Sequence, residues 1–259
     1  MENSSKILKI TASGLSSCQR CPRLLAYHIS GEKNVWRIGI AGSGASFGKI
    51  FHERIAGRFH ADAAKGDLPE LADAFRGGTP KLKKRLAALV QARYFAPFLA
   101  EKSATLKSER LMALAKGTDF WIQCLAGFLS GVPSLLTAQK PEKILSSVFH
   151  RPEETLYAGY PYSDGVTLQV SGQYDCLLFN PDANEATLFE FKGYKASDVT
   201  VELSQTLVYA WLVFIATGII PSVTLIYLEN DAPVPYSAGD VRKMLDNLPN
   251  LFETTRQVL

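Results

Sequence analysis

Cysteine is scarce in this 259-residue chain, which has only Cys18, Cys21, Cys124 and Cys176. Four thiols spread over such a length do not make a disulfide framework, so a reducing, cytoplasmic compartment is expected. The Cys18-Gln19-Arg20-Cys21 pair lacks the second close pair that a four-ligand zinc site needs. Cys124 falls in an apolar run, where a free thiol packs as a small hydrophobe. Long hydrophobic runs are also missing. The longest, Leu207 to Ile220, is closed by Gly218 and Pro221 and falls short of the ~20 residues of a membrane span. The opening MENSSKILKI shows no basic-then-apolar secretion pattern. Internal repeats and low-complexity linkers are absent, so one domain over residues 1–259, with no membrane partner, is the expected organisation.

A hydrophobic content of 47% with 20% charged residues is ordinary for a globular protein able to build a sizeable core. The net charge of +3 is unevenly placed. From Arg76 to Lys116 there are ten Lys/Arg against two Asp/Glu, a local +8 that leaves the remainder at −5. Such asymmetry suits a polyanionic partner, and equally a solvated helical face. Lys81, Lys83, Lys84 and Arg85 are its densest part.

The segment GIAGSGASFGK (39–49) resembles a phosphate-binding loop but fails on spacing. Ser43 stands where glycine is required and Ile50 where a magnesium-binding hydroxyl should be, so a loop entering a helix is expected. Helices are expected over Leu15 to Ile29, Phe47 to His60, Lys81 to Leu99, Ser103 to Lys116 and Phe120 to Leu129. Strands are expected over Leu156 to Tyr160, Thr167 to Phe179, Ala186 to Lys192 and Val223 to Leu228. Between the last two, Val201 to Thr217 reads as a helix carrying Gln205 and Tyr209 at i, i+4. Ser237 with Asp240 is a capping-box-like start for a helix over Ala238 to Val258.

The most informative stretch is VSGQYDCLLFNPDANEATLFEFK, Val170 to Lys192. It reads as a hairpin around the turn cluster Asn180 to Asn184. Alternation puts Leu188, Glu190 and Lys192 on one face and Phe189 and Phe191 on the other, with Asp175 heading the partner strand. Two carboxylates beside a lysine on an apolar hairpin are expensive to bury unless they bind something, such as a divalent cation.

In order along the chain stand Cys21-Pro22-Arg23, Phe51-His52-Glu53, Gly172-Gln173-Tyr174-Asp175, Glu190-Phe191-Lys192 and Gln205-Thr206-Leu207-Val208-Tyr209. Each triplet alone is common. Together they resemble the RecB-like branch of the PD-(D/E)XK nuclease superfamily: its CPR, motif histidine, GxxD, ExK and QxxxY. Within the branch the chain is similar to the CRISPR-associated exonucleases of spacer acquisition. It departs from them in having no cysteine after Cys176, so no iron–sulfur cluster is expected.

The resemblance implies an α/β fold with a restriction-endonuclease-like core: a mixed central sheet flanked by helices in the order α-β-β-β-α-β. A large helical insertion would occupy about 61–150 and the catalytic core about 151–230. It implies that His52, Asp175, Glu190 and the Phe191 carbonyl hold Mg²⁺ or Mn²⁺. Lys192 would then orient water or stabilise phosphorane charge, and Gln205 and Tyr209 would support Lys192 or the nucleic-acid backbone. Arg23, Lys81, Lys83, Lys84 and Arg85 would grip phosphates. DNA is the implied substrate, with RNA a second candidate, and a helicase or defence-complex subunit the implied partner. Two other readings stand beside it: a nucleic-acid-binding subunit with regulated or vestigial nuclease activity, and a scaffold whose acids are only surface charge.

Overall fold

The computed structural model describes residues 6–20, 48–75, 78–102, 106–150, 155–193, 199–229 and 232–258. In chain order, strand β1 (Ile7–Thr11) leads into helix α1 (Ala12–Arg20). Helix α2 covers residues 48–65 and contains a π-helical turn, His52–Ala56, before resuming over Gly57–Lys65. A 3₁₀ turn precedes α3 (Ala72–Phe75). Helix α4 (Gly78–Val90) runs through a second π turn, Gln91–Phe95, into α5 (Ala96–Lys102), followed by α6 (Ser108–Ser130), α7 (Pro133–Thr137) and α8 (Pro141–Val148). Strands β2 (Leu156–Pro161), β3 (Thr167–Gly172), β4 (Cys176–Asn180) and β5 (Glu185–Lys192) come next. Helix α9 (Val199–Thr217), β6 (Ser222–Tyr227), β7 (Val234–Tyr236), α10 (Ala238–Leu245) and α11 (Leu248–Val258) complete the order.

The fold is mixed α/β, as expected, but its strands divide between two sheets, β1-β3-β2 and β4-β5-β6-β7. Both are mixed: β1 runs parallel to β3 and β5 parallel to β6, while the other neighbours are antiparallel. The run Thr167 to Phe179, expected as one strand, is two. The chain leaves the ladder at Gln173, Tyr174 and Asp175 and crosses from one sheet to the other. Four strands therefore stand between α8 and α9 where three were expected. Strand β1 was not foreseen at all. Only Ile10 of its five residues is buried, too little alternation for a local signal, and the strand exists through its distant pairing with β3.

Why the β4–β5 hairpin forms is visible in its turn. The Asn180 side-chain oxygen accepts the N–H groups of Asp182 (3.1 Å) and Ala183 (3.3 Å), an Asx turn that reverses the chain. Asn184 closes it at φ 55°. The parallel β5–α9–β6 connection then lays α9 across one face of the sheet.

Strand alternation separates two cores across the four-stranded sheet. Phe189, Phe191, Cys176 and Leu178 join Phe51, Phe59, Trp121 and the other helical residues on one side. Leu177, Leu188, Val223 and Leu225 join α9, α11 and the smaller sheet on the other. Helix α6 passes uninterrupted through the two segments expected as separate helices. Its Gly117 makes room for the Leu228 side chain, just past the end of β6: a Cβ there would sit 2.2 Å from Leu228 Cδ2. The last helix is split, α10 ending at Leu245. Its expected capping box is present: Asp240 N–H donates to Ser237 Oγ and Ser237 N–H to Asp240 Oδ2, both 3.1 Å. Gly218 ends α9 in the left-handed region, φ 75°. Among the described residues no helix is long and apolar enough to cross a membrane.

Candidate functional site

The break between β3 and β4 places Asp175 where two sheets meet. Register continues from Cys176 opposite Phe189, so Asp175 lies opposite Glu190. Because β4 starts one residue later, the Phe191 N–H is left to the Asp175 side chain, which accepts it through Oδ2 at 2.8 Å. The Asp175 carbonyl, also outside the ladder, meets His52 Nε2 at 3.1 Å. The second ring nitrogen, Nδ1, stands 3.8 Å from Asp175 Oδ1. Helix α2 thereby delivers a histidine onto an acid 123 residues away.

Glu190 and Lys192 emerge from β5 on the face covered by α9, as alternation requires. The Lys192 ammonium donates to Glu190 Oε1 (2.9 Å) and to Gln205 Oε1 (3.0 Å). Gln205 Nε2 donates to the Tyr209 hydroxyl at 2.7 Å. This last bond turns the Gln205 amide so that its oxygen faces the lysine. Tyr209 in turn lies against the end of β3. A Cβ on Gly172 would come within 2.8 Å of its ring, so the glycine of the GxxD motif makes room for the tyrosine of QxxxY. The structure thus brings His52, Asp175, Glu190, Lys192, Gln205 and Tyr209 into one connected network. Phe191 contributes its backbone, while its ring sits in the helical core 4.9 Å from the Phe51 ring centroid.

The electrostatics are those of charge held away from water. Burial pushes the Asp175 carboxyl up to about 6, against the Phe191 hydrogen bond and Lys192 charge that pull it down; 22% of its side-chain surface remains open. Burial, helped by the Asp175 charge, pushes Glu190 up to about 7. Burial also lowers His52, offset in part by its contact with the Asp175 carbonyl. For Lys192 burial acts downward, yet the Glu190 charge and hydrogen bond outweigh it and hold the ammonium above its ordinary value. Glu190 Oε2 is buried with no hydrogen-bond partner.

That orphaned oxygen bears on whether a cation fits. A buried carboxylate oxygen left unmatched is costly, and a carboxylate pair raised by desolvation relaxes when a divalent charge joins it. Oxygen donors with one imidazole suit Mg²⁺ or Mn²⁺. Among the described residues no three His, Cys, Asp or Glu side chains are already grouped as a metal site; in this structure the Lys192 ammonium carries the positive charge between the acids.

Other expectations fare differently. Lys81, Lys83, Lys84 and Arg85 are exposed on α4, whose Leu82, Leu86 and Val90 face inward. Lys83 reaches Gln123 on α6 at 3.5 Å, and none of the four belongs to the network above. Arg93, counted in the same basic excess, is structural: it pairs with Asp62 at 3.1 Å and donates to the Asp67 carbonyl. Glu53 pairs with Lys49 on the solvated side of α2. Arg23 with Cys21 and Pro22, and the loop 39–47, lie outside the described residues.

Sequence reading missed three participants. Glu202, 3% exposed on α9, adds its charge to those holding Lys192 protonated. Its place one turn before Gln205 on the same face was a usable signal. The Tyr174 hydroxyl contacts His150 Nδ1 beside the strand break, and His60 meets Cys176 in the core. Neither contact has a local sequence signature. No family model matches the chain, and no curated protein matches it either.

Proposed function

We propose that this chain is a divalent-cation-dependent nuclease of the PD-(D/E)XK superfamily, RecB-like branch, hydrolysing phosphodiester bonds in DNA. The observation that carries the reading is the convergence of four separated motifs, from α2, the β3–β4 break, β5 and α9, on one pair of carboxylates, of which Glu190 is buried with an unmatched oxygen. A scaffold protein has no reason to bury Glu190 and Lys192 together, since apolar residues of equal volume would be at least as stable.

His52, Asp175, Glu190 and the Phe191 carbonyl are the groups that would hold Mg²⁺ or Mn²⁺. When bound, such an ion supplies Lewis acidity toward a phosphate oxygen and lowers the pKa of water. Lys192, relieved of its pairing with Glu190, presents an ammonium to charge growing on the phosphoryl oxygens or to the attacking water. Gln205 fixes that ammonium through its amide oxygen, and Tyr209 fixes Gln205. Glu202 keeps Lys192 protonated from the side of α9. The exposed cations of α4 supply sequence-independent attraction to the phosphate backbone.

The test is cleavage of end-labelled single-stranded DNA, double-stranded DNA and RNA with Mg²⁺ or Mn²⁺, beside folded Asp175→Asn. Metal-dependent cutting by wild type alone supports the reading. Binding without cutting by both proteins favours a nucleic-acid-binding subunit instead.

A further inference from the structure

Behind the candidate site, and absent from every motif, lies a second histidine contact. His60 Nε2 stands 2.9 Å from Cys176 Sγ, and both residues are fully buried. The imidazole is enclosed by aromatic rings, with Phe149 at 5.0 Å edge-on and Trp121 at 6.0 Å between centroids, and its Nδ1 has no hydrogen-bond partner. A leucine or phenylalanine would suit such surroundings better, because a half-satisfied polar ring in an apolar core is destabilising.

What the pair accomplishes is geometric. His52 and His60 belong to the same helix, α2, and they meet consecutive residues, Asp175 and Cys176. In a regular α-helix residues eight apart point about 80° away from each other, whereas residues seven apart differ by about 20°. The π turn at His52–Ala56 inserts one residue, so His52 and His60 fall on one face despite their spacing of eight. Gly57 permits that turn: its N–H bonds to the His52 carbonyl, and a Cβ on it would lie 2.6 Å from that oxygen and 3.5 Å from His52 Nε2.

We propose that His60 is a positioning residue, and that its contact with Cys176 registers helix α2 against the start of β4 so that His52 stands on Asp175. One contact lies in the core and one at the site, and the first fixes the second. The consequence for metal binding rests on the nuclease reading above; the placement of the His52 ring does not.

The experiment compares wild type with His60→Leu, His60→Gln and Cys176→Val. Ring ¹⁵N resonances of His52 report whether Nε2 is still hydrogen-bonded, and calorimetric titration with Mn²⁺ alone reports metal affinity. His60→Leu and Cys176→Val should remain folded, with thermal midpoints at or above wild type. Both should shift the His52 Nε2 resonance and weaken Mn²⁺ binding by about tenfold, the size seen when outer partners of metal ligands are removed. His60→Gln, which keeps a polar atom near the Nε2 position, should restore both. Either readout at its wild-type value in folded His60→Leu overturns the proposal. If wild type binds no Mn²⁺, the metal reading fails and the His52 resonance alone decides the positioning role.

Discussion

Glu190 and Lys192 are each tolerable in the interior because the other is there. With side-chain exposures of 6% and 9%, removal of one leaves the other as an uncompensated buried charge, which typically costs about 3 kcal/mol or more. Lys192→Met should therefore lower unfolding free energy by about that amount, and adding Glu190→Gln should recover most of it; urea denaturation of the two single variants and the double variant measures the coupling. Glu190→Gln alone should also lower stability, because it leaves the Lys192 ammonium buried without its carboxylate, though by less than Lys192→Met, since Gln205 and the Glu202 charge stay with the lysine. Cleavage should fall about 10³-fold, the rate equivalent of several kcal/mol of lost charge stabilisation. Gly172→Ala tests the other end of the network. Its Cβ would collide with the Tyr209 ring, and overpacking of this kind costs about 1–3 kcal/mol. The expected result is a lower thermal midpoint together with a reduced turnover number, as Gln205 loses the hydroxyl that orients it.

At the scale of elements, α2 carries the most unusual demand. It places one histidine at the site and another in the core, and the core one must stay neutral. Burial lowers the His60 pKa from 6.5 to about 3, so the unfolded chain takes up a proton that the folded chain refuses. Stability from this residue is intact above pH 6.5 and is lost progressively as pH falls toward 3. Between pH 7 and 4.5 the loss amounts to about 2–3 kcal/mol, and His60→Leu should be spared it; urea titrations of both proteins at the two pH values measure the difference. A gap that does not widen on acidification would mean that His60 is not held neutral. Elements also show what the sequence could and could not disclose. The face of β5, the Asn180 turn, the Ser237 cap and the Gln205–Tyr209 spacing all rest on neighbours within a few residues, and each is visible in the string. The β3–β4 break is not, because Thr167 to Phe179 is uniformly strand-like and only the packing of Gly172 under Tyr209 and the change of sheet divide it. The π turn is equally silent: nothing in HERIA announces an extra residue, although Gly57 following it is the residue such a turn can accept.

For the molecule as a whole, the four-stranded sheet is a partition. Aromatic rings of the helical segment fill one side and α9 with α11 fills the other, and the candidate site sits where β3 gives way to β4 at its margin. The six residues that the structure brings together were legible as a group because each motif has a fixed internal spacing. Their supports, Glu202 excepted, were not, since His60, Gly57 and Gly172 matter only through distant contacts. Charge is organised at this scale too. The exposed cations of α4 lie apart from the network, so they should influence affinity rather than chemistry. Replacing Lys81, Lys83, Lys84 and Arg85 together by alanine should flatten the log–log salt dependence of DNA binding by up to about 3, at roughly 0.7–0.9 per phosphate contact, with turnover at saturating DNA unchanged. Fluorescence anisotropy across a salt series reads the slope, and an unaltered slope would remove these residues from the interface.

The central claim is that the buried acids serve phosphodiester hydrolysis, and the most direct measurement is the rate of cutting of end-labelled DNA by purified wild type and by Glu190→Gln, each shown to be folded, with Mn²⁺ or Mg²⁺ and with chelator. The account predicts cutting by wild type that requires the cation and is lost in Glu190→Gln. Wild type that does not cut under any of these conditions, or Glu190→Gln that cuts as fast as wild type, would contradict it.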